Sequence, residues 1–245
     1  MRIAAISDVH GNLPALDAVT ADITGQDVDV VVNLGDLLSG AVQPRETADR
    51  LMELGLPTVR GNHERQLLTL SPEQMGASDR LANDAITDRH REWMAGLPLT
   101  LQPAEGVLAF HGSPSDDLTY LLDSVGPDGA RPATEEQVIE RLGRAVDVPL
   151  LLCGHTHLQR SMRLPSGALV VNPGSVGWPA YDDERPYPHV MEAGTPHARY
   201  AVAERVRGRW TVEFHAVDYD WEQAATIAEA NGRAEVARAL RTGRA

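Results

Sequence analysis

Lysine is absent from the 245 residues, so all 22 basic side chains are arginine. Chemistry built on a lysine therefore falls away, including the Gly-Lys-Ser/Thr phosphate loop and Schiff-base catalysis. The single cysteine, Cys153, leaves no internal disulfide to form, and nothing calls for an oxidising compartment. No apolar run approaches the ~18 residues of a membrane span. The start, Met1-Arg2-Ile3-Ala4-Ala5-Ile6, lacks the basic segment, apolar stretch and cleavage site of a signal peptide. A cytoplasmic protein with no membrane partner is expected. The formal charge of −13 argues against a broad grip on nucleic acid, which needs many phosphate-neutralising cations.

What is present alternates in the first half between short apolar runs and helical patterns, which predicts βαβ units. Arg2–Ile6, Val28–Leu34 and Pro57–Arg60 read as strands. The segment after Asn12, with Leu13, Leu16, Val19 and Ile23 at helical spacing, reads as a helix. Thr47–Leu54 and Ser78–Met94 are also predicted helices, the second with Trp93 and Met94 on its inner face. Ser71-Pro72-Glu73-Gln74 and Thr134-Glu135-Glu136-Gln137 have the form of capping boxes. The second half predicts strands over Val107–His111, Pro149–Cys153, Arg160–Leu164, Ala168–Val171, Ala198–Arg205 and Trp210–Val217. A helical tail follows at about 220–242. With no repeat and no linker, residues 1–245 read as one domain of two packed sheets with helices outside each.

Five polar clusters fall where predicted strands end: Asp8-Val9-His10, Gly35-Asp36, Gly61-Asn62-His63-Glu64, His111-Gly112 and Gly154-His155-Thr156-His157. They contain the carboxylates, imidazoles and amides that hold borderline metals. Sites in parallel sheets collect beyond the carboxyl ends of strands, where these clusters would converge. Each has a plainer reading: Asp8 and Asn62 as helix caps, Gly35-Asp36 as a strand-to-turn ending, His111 as a hydrogen-bonded core histidine. Five of the nine histidines in these clusters, in this order, favour the metal reading.

The ordered set, together with Ser7-Asp8-Val9-His10-Gly11-Asn12, His111-Gly112-Ser113-Pro114 and Asn172-Pro173-Gly174-Ser175-Val176-Gly177, resembles the calcineurin-like metallophosphoesterase superfamily. The wording is that of its small bacterial and archaeal phosphodiesterase-like branch. The resemblance runs from the first strand to about residue 217. It implies an α/β fold, a four-layer α/β/β/α sandwich with a dinuclear metal site at the carboxyl ends of the strands. It further implies one metal held by Asp8, His10, Asp36 and His157, and another held by Asp36, Asn62, His111 and His155, with Asp36 bridging. His63 lies outside this ligand set and is implied as the catalytic acid facing the leaving group. Mixed oxygen and nitrogen donors suit manganese or iron, with zinc, cobalt or nickel compatible.

The activity so implied is hydrolysis of a phosphodiester or nucleotide-type phosphate by a hydroxide bridging two divalent metals. A phosphoprotein or phosphomonoester phosphatase is the alternative. A non-catalytic protein-binding scaffold and a nuclease rank lower: every expected ligand is present, and the charge is acidic. The chain also departs from the pattern. Glu64 follows Asn-His as in serine/threonine protein phosphatases, but Gly35-Asp36 continues Leu37-Leu38-Ser39-Gly40 and lacks their Asp-Arg-Gly stretch. That leaves His63 without an assigned acidic partner. The proline-rich stretch Trp178–Pro196 interrupts the run of strands and is expected to set substrate choice, with Tyr181, Arg185 and Tyr187 as substrate contacts. A solvent-exposed loop or a subunit contact is the competing reading. Cys153 reads as buried packing, and His90 and His215 as surface or strand-edge residues.

Overall fold

The computed structural model describes residues 1–245. In chain order the first half contains β1 (Arg2–Ile6), α1 (Leu13–Thr24), β2 (Val30–Asn33), α2 (Pro44–Leu54), α3 (Asn62–Thr69), α4 (Ala77–Ala85), α5 (Asp88–Ala95), β3 (Thr100–Leu101) and β4 (Val107–Phe110). The second half contains β5 (Asp123–Gly126), β6 (Gly129–Pro132), α6 (Glu135–Leu142), β7 (Leu150–Leu152), β8 (Gln159–Arg163), β9 (Leu169–Pro173), β10 (Ala180–Asp183) and β11 (His189–Glu192). It ends with β12 (Ala198–Val206), β13 (Arg209–Val217), α7 (Trp221–Ala230) and α8 (Ala234–Thr242).

Two sheets form the frame, one in the order β13-β12-β1-β2 and the other β3-β4-β7-β9-β8. The β1–β2 pair and the β4-β7-β9 run are parallel. Alternation along each strand decides which layer a side chain enters. On β1, Ile3 and Ala5 meet Leu150 and Leu152 of β7 between the sheets, in a core with Val32, Val107, Val171, Ala201 and Trp210. Ala4 and Ile6 face the other way, onto Leu16 and Val19 of α1 and Leu51 of α2. On β7, Leu151 turns outward with Cys153 to pack beneath Val138 and Leu142 of α6. Helices, sheet, sheet and helix make the four layers expected, and no helix is long and apolar enough to cross a membrane.

The structure revises several boundaries. The helix predicted over Ser78–Met94 is two helices broken at Ile86-Thr87, both of which are extended. The Thr87 N–H donates to His90 Nδ1, which starts α5 afresh. His90 is therefore buried, not a surface residue, and its Nε2 reaches Asp49. At Ser71 the predicted capping contact forms, Ser71 N–H donating to Gln74 Oε1, but it closes only a turn; the helix starts at Ala77. Thr134 does cap a helix, α6. Pro57–Arg60 gives a single parallel bridge, Asn33 to Thr58, in place of a strand. His215 lies on β13 with its ring stacked on Tyr200. The stretch read as a loop at Trp178–Pro196 contains the β10–β11 hairpin, and a second hairpin, β5–β6, turns at Pro127-Asp128.

Candidate metal centre

Every predicted ligand lies just past a strand end or a bridge: Asp8 and His10 after β1, Asp36 after β2, Asn62 after the Thr58 bridge, His111 after β4, His155 and His157 after β7. The loops are laced together. The Asp8 N–H donates to Gly35 O and the His10 N–H to Asp36 O, tying the first loop to the second. The Asn172–Gly177 turn braces the first loop from the other side, with Val176 and Gly177 N–H donating to Ser7 O and Asp8 O. Glu64, buried at the start of α3, accepts from the backbone N–H of Asp36, Leu37 and Gly61.

The packing is close enough to dictate glycine at two motif positions. A Cβ on Gly61 would lie 2.2 Å from Asp36 Oδ1, and one on Gly154 would lie 2.0 Å from Ser7 Oγ. Strain is concentrated in the same loops. Asp8, His10, Asp36, His155 and His157 all have φ between +49° and +71°, the left-handed region. A non-glycine residue there costs of order 1–3 kcal/mol and persists only where the surroundings over-determine it.

The side chains converge as two groups, Asp8 with His10 and His157, and Asp36 with His111 and His155. Backbone carbonyls orient the rings: Nδ1 of His10, His111 and His157 meets Ser39 O, Leu34 O and Trp178 O at 2.6–2.8 Å. Their Nε2 atoms are thereby turned inward, those of His10 and His157 as acceptors and that of His111 toward the Asp36 carboxylate at 3.1 Å. His155 is held the opposite way, with Nε2 on Leu118 O, which leaves Nδ1 for its group. Asn62 Oδ1 stands 3.2 Å from His111 Nε2 and joins the second group.

These donors fit metal ions. The Nε2 atoms of His10 and His157 face each other at 3.0 Å while both Nδ1 atoms are engaged by carbonyls. Asp8 Oδ1 is buried beside them without a hydrogen-bond partner. Three lone pairs converging with no proton between them call for a cation. Without one the electrostatics are contorted. Burial and the neighbouring His157 push His10 down to about 3, and burial with His111 pushes His155 down to about 4. Burial opposes charge on His111 as well, but the Asp36 carboxylate holds it up at about 10.

His63 stands apart from both groups. Its Nδ1 lies 2.6 Å from Asp79 Oδ1, which supplies the acidic partner the sequence left unassigned. Burial opposes its charge, yet Asp36 and Asp79 raise it to about 9. Nothing in Gly76-Ala77-Ser78-Asp79 marks Asp79 as functional in the sequence; only the packing of α4 on α3 shows it.

All of this opens into a cavity of about 980 Å³. His63, Tyr181 and Arg185 line it, as does Trp178 at the start of the stretch expected to set substrate choice, and so do Tyr120 and Arg233, which the sequence did not mark. Tyr187 does not: it is exposed on the hairpin, and only its carbonyl is engaged, by His189 Nδ1. Of the three expected substrate contacts it alone does not line the cavity. Tyr181 is half-buried, its hydroxyl bonded to Tyr120 and to His155 O and its ring against His157 at 4.6 Å. Cys153 is buried, and burial pushes its thiol far above the usual range.

Comparison with known proteins agrees with this geometry. The chain is 26% identical over 199 residues to the uncharacterized protein MJ0912 of Methanocaldococcus jannaschii, covering 72% of this chain and 76% of that one. It is similar to the crystal structure of a metallophosphoesterase from Sphaerobacter thermophilus, with a TM-score of 0.75 and 25% identity over 99% of both chains. The hypothetical protein PH1004 from Pyrococcus horikoshii shares the fold, with a TM-score of 0.78 and 18% identity over 99% of this chain and 98% of that one. The profile of the calcineurin-like phosphoesterase superfamily domain matches residues 1–193, and the chain belongs to that superfamily.

Proposed function

We propose that this phosphoesterase hydrolyses a phosphodiester or nucleotide-type phosphate with two divalent cations, manganese or iron foremost. Asp8, His10, Asp36 and His157 would hold one ion, and Asp36, Asn62, His111 and His155 the other. The observation that carries the reading is the pair of converging carboxylate–histidine groups with the His63–Asp79 pair, both groups and His63 contributing residues to the wall of one cavity. When bound, the ions would neutralise phosphoryl charge and make water nucleophilic near neutral pH.

The protein's own contribution follows from its contacts. Asp79 fixes His63 through Nδ1 and sustains its charge, so Nε2 is the atom that can protonate the leaving oxygen as the P–O bond breaks. Water supplies the new oxygen on phosphorus, and the bond's electron pair leaves with the departing alcohol or phosphate. The cavity of about 980 Å³ favours a diester or nucleotide over a small monoester, since ligand pockets span roughly 300–1,000 Å³. Arg185 on the β10–β11 turn lines the cavity and would meet a phosphate.

The test is hydrolysis of bis(p-nitrophenyl) phosphate and p-nitrophenyl phosphate by manganese-loaded and chelator-stripped protein. Metal-dependent turnover with the diester preferred is expected. Preference for the monoester would replace this reading with a monoester phosphatase, and two bound metals without turnover on either would point to a binding scaffold.

A further inference from the structure

The two C-terminal helices lie beyond the matched family segment, yet they supply a wall of the cavity. Alanines of α7 and α8 pack with Val236 and Leu240 onto Ala41 and Val42, and Trp178 packs against the same cluster. Asn231, in the turn between the helices, donates to Ala41 O and Val42 O. The turn reverses at Gly232, with φ +76°, and delivers Arg233 and Glu235 into the lining of the cavity.

Arg233 is placed on the His63 side. Its Nη1 donates to Ser78 Oγ at 2.8 Å, and the next residue, Asp79, is the one that holds His63. Its Nε pairs with Glu235, whereas Nη2 has no protein acceptor. Stability alone does not require this arrangement. The tail is already anchored by eight buried apolar residues, while the pair with largely exposed Glu235 belongs to a class worth about 0–1 kcal/mol. Helix α8 also lies against β10, the strand that leads to Arg185. Three arginines line the cavity among Asp182, Asp183 and Glu235; Arg141 is committed to the carbonyls of Tyr120, Leu121 and Asp123 and to Ser124 Oγ, which leaves Arg185 and Arg233 from separate elements to meet a ligand.

We infer that Arg233 is a substrate-binding residue that receives an anionic group on the leaving half of the substrate. The preferred leaving group is then itself a phosphate, as when an anhydride joins two nucleoside 5′-phosphates. This rests on the hydrolase reading above and deepens it. His63 faces the departing oxygen, and a guanidinium tethered beside the residue that holds His63 lies where charge beyond that oxygen would fall. Arginine suits the task because its planar fork binds phosphate through two N–H groups at once.

The experiment compares wild type, Arg233→Ala and Arg233→Lys on two probes. One is bis(p-nitrophenyl) phosphate, whose leaving half carries no anionic group beyond the departing oxygen; the other is a dinucleoside diphosphate. Arg233→Ala is expected to raise KM for the dinucleoside diphosphate at least tenfold more than for the aryl diester, with Arg233→Lys recovering part of the loss. Calorimetric binding of ADP to chelator-stripped protein should weaken about tenfold in Arg233→Ala, with the thermal midpoint unmoved. Equal losses on both probes, an unchanged ADP affinity or a lowered midpoint would make Arg233 a structural tie and overturn the inference. Wild-type turnover of the aryl diester without the dinucleoside diphosphate would also overturn it while leaving the hydrolase reading intact. Failure on both probes with metals bound would instead remove the reading on which it rests.

Discussion

Tyr120 and Tyr181 share a hydrogen bond of 2.7 Å between their hydroxyls, and each braces a different histidine of the Gly-His-Thr-His motif. The Tyr120 ring meets His155 edge-on at 4.9 Å, and the Tyr181 ring meets His157 at 4.6 Å. The pair thus spans both candidate metal groups. Tyr181→Phe keeps the ring and loses the bond, so a loss of roughly 1 kcal/mol in stability is expected. Tyr181→Ala also removes the support of His157 and should weaken manganese binding by ~10–100-fold, the usual cost of losing an outer-shell partner. Denaturant unfolding measures the first and manganese titration of chelator-stripped protein the second; equal affinities for the two variants would mean the ring gives no support.

Arg185 and Tyr187 were expected to act together, and the structure separates them. Arg185 lines the cavity, whereas Tyr187 is exposed on the hairpin and does not. Arg185→Ala should therefore raise KM for nucleotide substrates more than for aryl phosphates, while Tyr187→Ala should lie within twofold of wild type on both. A nucleotide-specific defect in Tyr187→Ala would return that residue to the site.

The metal-group residues were legible because each motif reads locally, as donors at the end of an apolar run with glycine close by: before Asp36, Asn62 and His155, and after His10 and His111. The four layers were legible from the alternation of apolar runs with helical spacing. What escaped the sequence depended on distant contacts. Asp79 serves His63 only because α4 packs on α3, and Tyr120 becomes part of the wall only when β10 brings Tyr181 to it. The β5–β6 turn did carry a signal, Pro127-Asp128-Gly129, but its strands are short and lack clear alternation. The break at Ile86-Thr87 was hidden because apolar positions continue through it at nearly helical spacing.

Asp36 accepts the His63 N–H at Oδ1 while its Oδ2 stands 3.1 Å from His111 Nε2, so it links His63 to the second candidate metal group. Asp36→Asn keeps the shape and removes the charge. It is expected to lower bound manganese below two per chain and to reduce turnover more than any other single ligand change, both measured after metal loading and desalting. Full stoichiometry with wild-type turnover would defeat the two-metal assignment.

His63→Ala should retain both metals and slow turnover by ~10²–10⁴, the range for a lost general acid. The loss should grow as the leaving group becomes more basic. Asp79→Asn can keep a hydrogen bond to Nδ1 but withdraws the charge that helps hold His63 near 9, so a smaller loss in the same direction is expected. In the double variant the two losses should not add, because the residues act as one unit. Additive losses, or loss of metal, would make Asp79 a support for the fold instead.

Glu64 offers a sharper test of how the loops are held, because both of its oxygens are committed to backbone. Oε2 accepts from Asp36 and Gly61 N–H, and Oε1 from Leu37 N–H. Burial raises its carboxyl to about 7, with Asp36 adding to the rise and the backbone N–H groups opposing it. Glu64→Gln conserves shape but must turn an amide NH₂ toward at least one backbone N–H, leaving two donors face to face in a buried site. That should cost about 1–3 kcal/mol, read as a lower thermal midpoint in chelator-stripped protein. Added manganese should restore part of the difference, since an ion bound only by the folded chain stabilises it by mass action. Glu64→Asp keeps the charge but is one methylene short, so it should lose the bonds to the Asp36–Leu37 turn and destabilise to a similar degree. If Glu64→Gln melts with wild type, the carboxylate is dispensable for the loops, and their left-handed geometry must be fixed by the lacing between Asp8, His10 and the second loop alone.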